Sequence, residues 1–314
     1  MTTPSPSPSP RSADAAGPST PQRDRRPAVL LLHPGAMGSQ IGARLRERGT
    51  TVTWVAQGRS EASARRASEA GLERVETLAD ALGTADIALS VCPPHGALEL
   101  ARAVQRAGFR GIFVDANAVS PARALKIGGI VEAGGARFVD GGIIGPPPRA
   151  GARARLYLSG DAAASVSDVF DAGPLSAIVL PGPVGKASAL KMAFAAWNKG
   201  SIALLASIRA LAGRHGLDDA LLDAWRAVDP EVIARAERVA ANAGKAWRWE
   251  AEMHEIADTF GEAGLPEGFH RGAAEVYARM AGFKDGTVAA SVDALNDALN
   301  EALLGPAGRA GRPG

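Results

Sequence analysis

The chain has 314 residues, 46% hydrophobic and 22% charged, with a formal net charge of +2. That length suits two domains, and the near-neutral balance gives no electrostatic case for a nucleic acid or a membrane as partner. A single cysteine, Cys92, excludes an intrachain disulfide and a cysteine-rich zinc site and fits a reducing cytoplasm.

The first 26 residues are rich in Pro and Ser and contain no apolar stretch. They cannot bury enough surface to offset the entropy of ordering, so a disordered tail is expected and a signal peptide is not. The segment 305–314, GPAGRAGRPG, reads as a second flexible tail. No window approaches the length of a membrane-spanning helix. The expectation is a cytoplasmic protein.

From 27 to about 183, short apolar strands alternate with amphipathic helices. Strands are expected at 28–33, 51–56, 86–92, 111–115 and 137–140, and helices at 39–48, 61–70, 78–82, 96–107 and 122–133. This alternation predicts an α/β, Rossmann-like parallel sheet covered by helices on both faces. Two further short strands are expected at 155–159 and 176–180. After Gly185 only helical patterns follow: 186–213, 218–228, 231–263 with a break near Gly244, 270–282 and 288–303. The boundary is placed near Pro183. It separates a dinucleotide-binding domain, 27–183, from an all-helical substrate and dimerisation domain, 184–304.

The first strand runs into His33-Pro34-Gly35-Ala36-Met37-Gly38, which then opens a helix. That is the setting of a dinucleotide-binding turn. Gly35 sits where backbone must approach a pyrophosphate, and Gly38 where the helix must pack against the strand; helix N-terminal N–H groups favour the anion. His33 replaces the first glycine of the fingerprint. The alternative is a strand-to-helix turn with glycine for geometry alone. The end of the second strand, Ala56-Gln57-Gly58-Arg59-Ser60, lacks the acid that would hold the ribose hydroxyls of NAD. Arg59 and Ser60 suit a phosphate instead, so NADPH is expected over NADH; the alternative is an exposed loop arginine.

With these motifs in order, the chain resembles the β-hydroxyacid dehydrogenases, the group containing 3-hydroxyisobutyrate and 6-phosphogluconate dehydrogenases. His33–Gly38 is similar to that family's cofactor turn, 115–121 (DANAVSP) to its D-x-S-T-x-x-P segment, and 140–146 (DGGIIGP) to its substrate-side D-x-P-V-S-G-G. Residues 182–191 (GPVGKASALK) resemble the start of its interdomain helix, and the C-terminal half resembles a less characterised branch with its own helical domain. The resemblance implies that Lys191 is the catalytic lysine, a general acid when a carbonyl is reduced. It places Asn117 where the loop meets nicotinamide and substrate, and Ile144, Gly145 and Pro146 on the substrate-carboxylate loop. Two positions depart: the family's loop serine is Ile144, and its asparagine four residues after the lysine is Ala195.

Ser188, Lys191, Ala195 and Asn198 share one helical face, so Asn198 is positioned to supply the amide that Ala195 lacks. Lys191 lies on a nearly apolar helix. There it either snorkels to the surface or lines a polar cleft, where desolvation would favour proton transfer. Cys92 and Pro93, at the carboxyl end of a strand, are placed on the cofactor side; His95 beside them touches the ribose or caps the next helix. Glu252 and Glu255, or Glu250 with His254, offer a carboxylate pair or a metal site, against a solvated or subunit-contact face; no metal is expected. His270 is assigned to the substrate side, reaching the cleft or a partner subunit.

The expectation is therefore an NADP-dependent oxidoreductase acting on CH–OH or C=O groups of a small hydroxy or oxo substrate, dimeric through its helical domain. The alternatives are imine reduction at C=N and an NADP-binding protein without turnover.

Overall fold

Apolar runs become strands buried on both faces: Leu30 and Leu32 point into one core layer, Val29 and Leu31 into the other, as the two-residue period of a strand requires. In the computed structural model, which describes residues 26–284 and 292–304, eight strands form one sheet. They are β1 (Val29–Leu31), β2 (Val52–Val55), β3 (Glu73–Val75), β4 (Ile87–Ser90), β5 (Ile112–Asp115), β6 (Arg137–Ile144), β7 (Ala154–Ser159) and β8 (Leu175–Val179). Their spatial order is β3-β2-β1-β4-β5-β6-β7-β8. Every neighbouring pair is parallel except β6 and β7. The strand order reverses between β1 and β4, which opens a crevice at their carboxyl ends.

Six helices connect these strands: α1 (Ala36–Glu47), α2 (Glu61–Glu69), α3 (Leu78–Thr84), α4 (Ala97–Arg106), α5 (Pro121–Ala133) and α6 (Ala163–Phe170). Ser60, Thr77 and Ser120 cap α2, α3 and α5 by accepting a backbone N–H three residues on. The helices α7 (Lys186–Arg214), α8 (Asp218–Val228), α9 (Glu231–Ala246), α10 (Trp249–Glu262), α11 (Gly268–Arg279) and α12 (Val292–Leu304) follow. α7 is the central rod of this half. Its buried alanines, among them Ala195, Ala203, Ala206 and Ala210, let the surrounding helices approach closely. Its outer face leaves Phe194, Trp197, Leu204 and Leu211 exposed. No helix among the described residues is long and apolar enough to cross a membrane.

The expected α/β sheet followed by helices is the observed architecture, with local differences. β3 was not expected because Glu73 and Arg74 are exposed polar residues on an edge strand. α6 was not expected because Ser165, Ser167 and Asp168 are poor helix formers; burial of Val166 and Phe170 holds it. β6 runs beyond Asp140 to Ile144 because Gly141 and Gly142 leave room for close neighbours: a Cβ on Gly142 would lie 2.6 Å from the Ala187 carbonyl oxygen. α1 starts at Ala36 rather than Ser39, and the helix expected over 231–263 breaks at Trp247-Arg248 rather than Gly244. The expected tails, apart from Arg26, and the start of the helix expected over 288–303 lie outside the described residues.

Two carboxylates join the halves. α7 begins after Gly185, which has φ 101° and no side chain to cap the helix. Asp140 of β6 does so instead, accepting from the N–H groups of Gly185 (2.9 Å), Ala187 (3.0 Å) and Ser188 (3.1 Å) and from Ser188 Oγ (2.5 Å). In the other direction, Glu255 of α10 accepts from Ser120 N at 2.8 Å at the start of α5 and pairs with Arg123 at 2.9 Å.

Candidate cofactor cleft and active site

At the carboxyl ends of β1, β2 and β4 lies a cleft of about 630 Å³, lined by His33, Arg59, Cys92 and Pro93 and reaching Gln57, His95 and Glu99. The turn that frames it is built by packing. A Cβ on Gly38 would lie 2.7 Å from the His33 carbonyl oxygen and 3.1 Å from Leu31, so only glycine lets α1 sit so close to β1. A Cβ on Gly35 would meet only the His33 ring, at 3.3 Å, so Gly35 leaves its backbone open to a ligand. Gly35 is also the N-cap of α1 and offers no side chain to its free N–H groups, and the first turn carries no acid. These N–H groups are therefore available to an anion.

Two arginines converge on the same turn. Arg59 Nη2 donates to the Leu32 carbonyl at 3.0 Å, and Arg66 Nε donates to the Pro34 carbonyl at 3.3 Å. Arg59 Nε and His33 Nδ1 are buried without a hydrogen-bond partner. Burial, reinforced by Arg59 and Arg66, draws the His33 imidazole below its usual pKa, so it stays neutral between them. An orphaned arginine donor, a glycine cradle and two arginines at the turn fit a phosphate-bearing dinucleotide. Arg66 was missed because it lies one turn inside α2, where an arginine on a polar face carries no distinguishing signal. Ser60 departs from expectation: its hydroxyl accepts from Ser63 N at 3.3 Å and contacts Ser63 Oγ at 3.2 Å, so it is committed to the α2 cap.

Asn117 also departs from expectation. It is 2% exposed and its amide is fully used inside the protein. Oδ1 accepts from Cys92 N at 2.5 Å, while Nδ2 donates to Ser90 at 2.8 Å and to Asp115. It therefore braces the loop carrying Cys92 and Pro93 rather than presenting its side chain to a ligand. Beneath it, burial and the neighbouring Asp140 charge push the Asp115 carboxyl up to about 8. The Cys92 thiol is pushed up to about 11, chiefly by burial, which makes it a poor nucleophile.

Lys191 lies where α7 crosses β6: a Cβ added to Gly142 would be 3.0 Å from Lys191 Cβ. Ile144 is two residues further along the same strand face, half-buried, and Gly145 and Pro146 are exposed beyond it. Lys191 does not snorkel; its side chain is 16% exposed and its Nζ lies 3.5 Å from Glu252 of α10. Glu252 also pairs with Lys199 at 2.6 Å. The solvated-face reading of Glu252 and Glu255 is thus corrected, since both are withdrawn from water and both meet partners across helices. His254 is the exposed member, with Arg271 Nη1 at 3.5 Å from its Nδ1.

Ser188 leaves the expected cleft face, its hydroxyl being held by Asp140. Ala195 is buried in the helical core, and Asn198 lines a smaller cavity with Lys199. His270 lies on another face of α7, in a cavity with Trp197, Ser201 and Phe269, its ring 4.2 Å from that of Phe260. It does not reach the side of α7 that carries Lys191, and burial draws its pKa down.

Residues 32–172 match the NAD binding domain of 6-phosphogluconate dehydrogenase, and residues 212–280 match a domain of unknown function, DUF1932. An uncharacterized 28.5 kDa protein of Methanothermus fervidus is 30% identical over 190 residues, covering 60% of this chain and 72% of that protein. The chain belongs to one family with that uncharacterized protein and carries an NAD-binding domain of the 6-phosphogluconate dehydrogenase type. Among solved structures, a conserved protein of unknown function described as structurally similar to 3-hydroxyacid dehydrogenases is 28% identical, with TM-score 0.60 over 81% of this chain and 99% of that one. The 3-hydroxyisobutyrate dehydrogenase of Mycobacterium tuberculosis shares the fold at 17% identity and TM-score 0.64, over 88% of this chain and 99% of that one. A reductive aminase of Aspergillus terreus solved with NADPH shares it at 18% identity and TM-score 0.51, over 87% and 99%. The match to the NAD binding domain covers the glycine turn, both arginines and the Cys92 loop.

Proposed function

We propose that this chain is an NADP-dependent oxidoreductase of the β-hydroxyacid dehydrogenase type that reduces a C=O group of a small oxo substrate, or runs the reverse reaction, with Lys191 as the proton donor. The observation that carries the reading is the placement of Lys191: a largely buried ammonium on the interdomain helix, against the β6 face that ends in Ile144. The nicotinamide supplies the hydride when bound. The free N–H groups at the start of α1 suit the pyrophosphate, and Arg59, with no acid at the end of β2, suits a 2′-phosphate. Lys191 gives its proton to the developing alkoxide, beside the apolar side chain of Ile144 at the end of β6. Asn117 holds the Cys92 loop in place. We also propose that the chain dimerises through the apolar outer face of α7.

A second reading, reduction of C=N, is supported by two residue types: Ile144 and Ala195 carry neither the hydroxyl nor the amide that would recognise an acid group. The deciding experiment is NADPH consumption against 2- and 3-oxo acids, semialdehydes, ketones and cyclic imines, repeated with Lys191→Met. General acid catalysis contributes about 10²–10⁴-fold, so kcat should fall by that factor while NADPH affinity stays within about three-fold. A Lys191→Met protein with near-normal kcat sinks the assignment. Tight NADPH binding with no turnover of any substrate would mark a binding protein instead.

A further inference from the structure

Lys191 and Lys199 lie about two turns apart on α7, and both reach the same oxygen of Glu252 on α10. The three side chains are 16%, 13% and 12% exposed. Two cations and one anion thus share a poorly hydrated space, where each charge acts on its neighbours far more strongly than in water. Burial pushes the Glu252 carboxyl up, but Lys199 and Lys191 outweigh it and hold it below the usual range. Burial draws the Lys199 ammonium down, with Glu252 opposing and Lys191 adding to the effect.

The other polar groups around this set are few. From α11, Tyr277 donates to the Lys199 carbonyl at 2.6 Å. Trp249 of α10 places its ring 5.7 Å from Lys199 Nζ. From α9, Arg235 and Arg238 line with Lys199 and Asn198 a cavity of about 220 Å³. On the β6 side, Asp140 is taken up by the start of α7. Among the described residues no further acid or base is ion-paired with the three.

We propose that Glu252 is the positioning residue of the proton-donating lysine, and that Lys199, by competing for the same carboxylate oxygen, sets the pH range over which Lys191 carries its proton. This rests on Lys191 being the donor. In reduction Lys191 gives one proton to the substrate oxygen, becomes a neutral amine and is recharged from water; Glu252 and Lys199 end each cycle unchanged. Without Glu252, Lys191 would face an unopposed Lys199 and lose its proton at lower pH. Without Lys199, Glu252 would serve Lys191 alone and the proton would be held to higher pH. A merely structural ion pair would move the lysine titrations in these directions too, but would leave the alkaline limb of kcat where it is.

The test follows the lysine side chains directly. Protein with NADPH and ¹³C-ε-labelled lysine is titrated by NMR, with Lys191→Met and Lys199→Met assigning the two signals. In Glu252→Gln the Lys191 signal should titrate at lower pH than in wild type; in Lys199→Met it should titrate at higher pH. The alkaline limb of kcat should move with each, by ~1 pH unit or more, the scale of one charge within ~4–6 Å. The double variant should bring both readouts back toward wild type, and circular dichroism checks each fold. Shifts of the same sign, or an unmoved alkaline limb, overturn the proposal; should Glu252→Gln not fold, Lys199→Met alone still decides by the direction in which that limb moves. A Lys191→Met protein that keeps its kcat removes the donor reading beneath it, whereas a dead Lys191→Met with unmoved titrations removes this proposal alone.

Discussion

The Asp140 carboxylate receives the Ser188 hydroxyl at 2.5 Å, and the same carboxylate takes three backbone N–H groups at the start of α7. The pair fixes the helix that carries Lys191 against the sheet. Asp140→Asn keeps the shape but weakens charge-assisted acceptance, worth about 1.5–3 kcal/mol for a hydrogen bond to a charged group. Urea unfolding should show a loss of about that size. The expected kinetic signature is a lower kcat with NADPH affinity little changed; an equal loss of both would mean the sheet itself had shifted.

Arg59 and Arg66 touch the same turn at different carbonyls, Leu32 and Pro34. Arg59→Ala should weaken NADPH binding by about 1.5–3 kcal/mol and leave NADH nearly unaffected. Arg66→Ala should weaken both cofactors, because its contact is with the glycine turn. Calorimetric titration with the two cofactors separates the roles. Equal losses for NADPH and NADH in Arg59→Ala would remove the 2′-phosphate assignment.

Gly35 and Gly38 should fail in different ways. Gly38→Ala drives a Cβ into the His33 carbonyl and Leu31, and overpacking of this kind costs about 1–3 kcal/mol. Gly35→Val meets only the His33 ring, so the fold should survive while the pyrophosphate path is blocked. Cofactor fluorescence lost with native circular dichroism is the expected result for Gly35→Val. Retained NADPH affinity in the folded variant would reduce the stretch to a structural turn.

Asp115 gives a pH signature. Its carboxyl, pushed up to about 8 by burial and by Asp140, holds a proton in the folded state that the unfolded chain releases near pH 4. Folding therefore binds a proton between those values, and stability from this group falls as pH rises from about 4 through about 8. Asp115→Asn, which carries no titrating proton, should gain on wild type across that window. Melting curves at pH 5 and pH 8 test it: the Tm advantage should grow with pH, and a constant difference would contradict the buried protonated carboxyl.

Trp197 is 63% exposed, and Phe194, Leu204 and Leu211 continue its stripe along α7. Trp197→Asp should convert a dimer to a monomer by light scattering without loss of helicity. A wild-type protein already monomeric at micromolar concentration would end the dimer proposal.

Much of the nucleotide half was legible because its determinants are local. A strand, a glycine turn and a helix follow one another within residues 29–47, and Arg59 sits at a fixed distance from them. What was not legible depends on contacts distant in sequence. Asn117 and Ser188 have the right residue types for a cleft, yet Cys92, Ser90 and Asp140 claim them. Glu252 and Glu255 look like charges on an amphipathic helix; only folding brings them to Lys191, Lys199 and Ser120. His270 followed a helix start correctly, but helical phase turns it to the wrong side of α7.

The exchange of carboxylates between the halves has a practical consequence. Asp140 lies in the first half and closes a helix of the second; Glu255 lies in the second and closes a helix of the first. A chain cut near Pro183 would leave α7 without the acceptor for its first N–H groups and α5 without its partner for Ser120. Neither fragment should reproduce the stability it has in the intact protein, even though each owns a separate hydrophobic core. The two pieces, expressed apart and mixed, should instead recognise each other, and the junction is where a split version of this protein would reassemble.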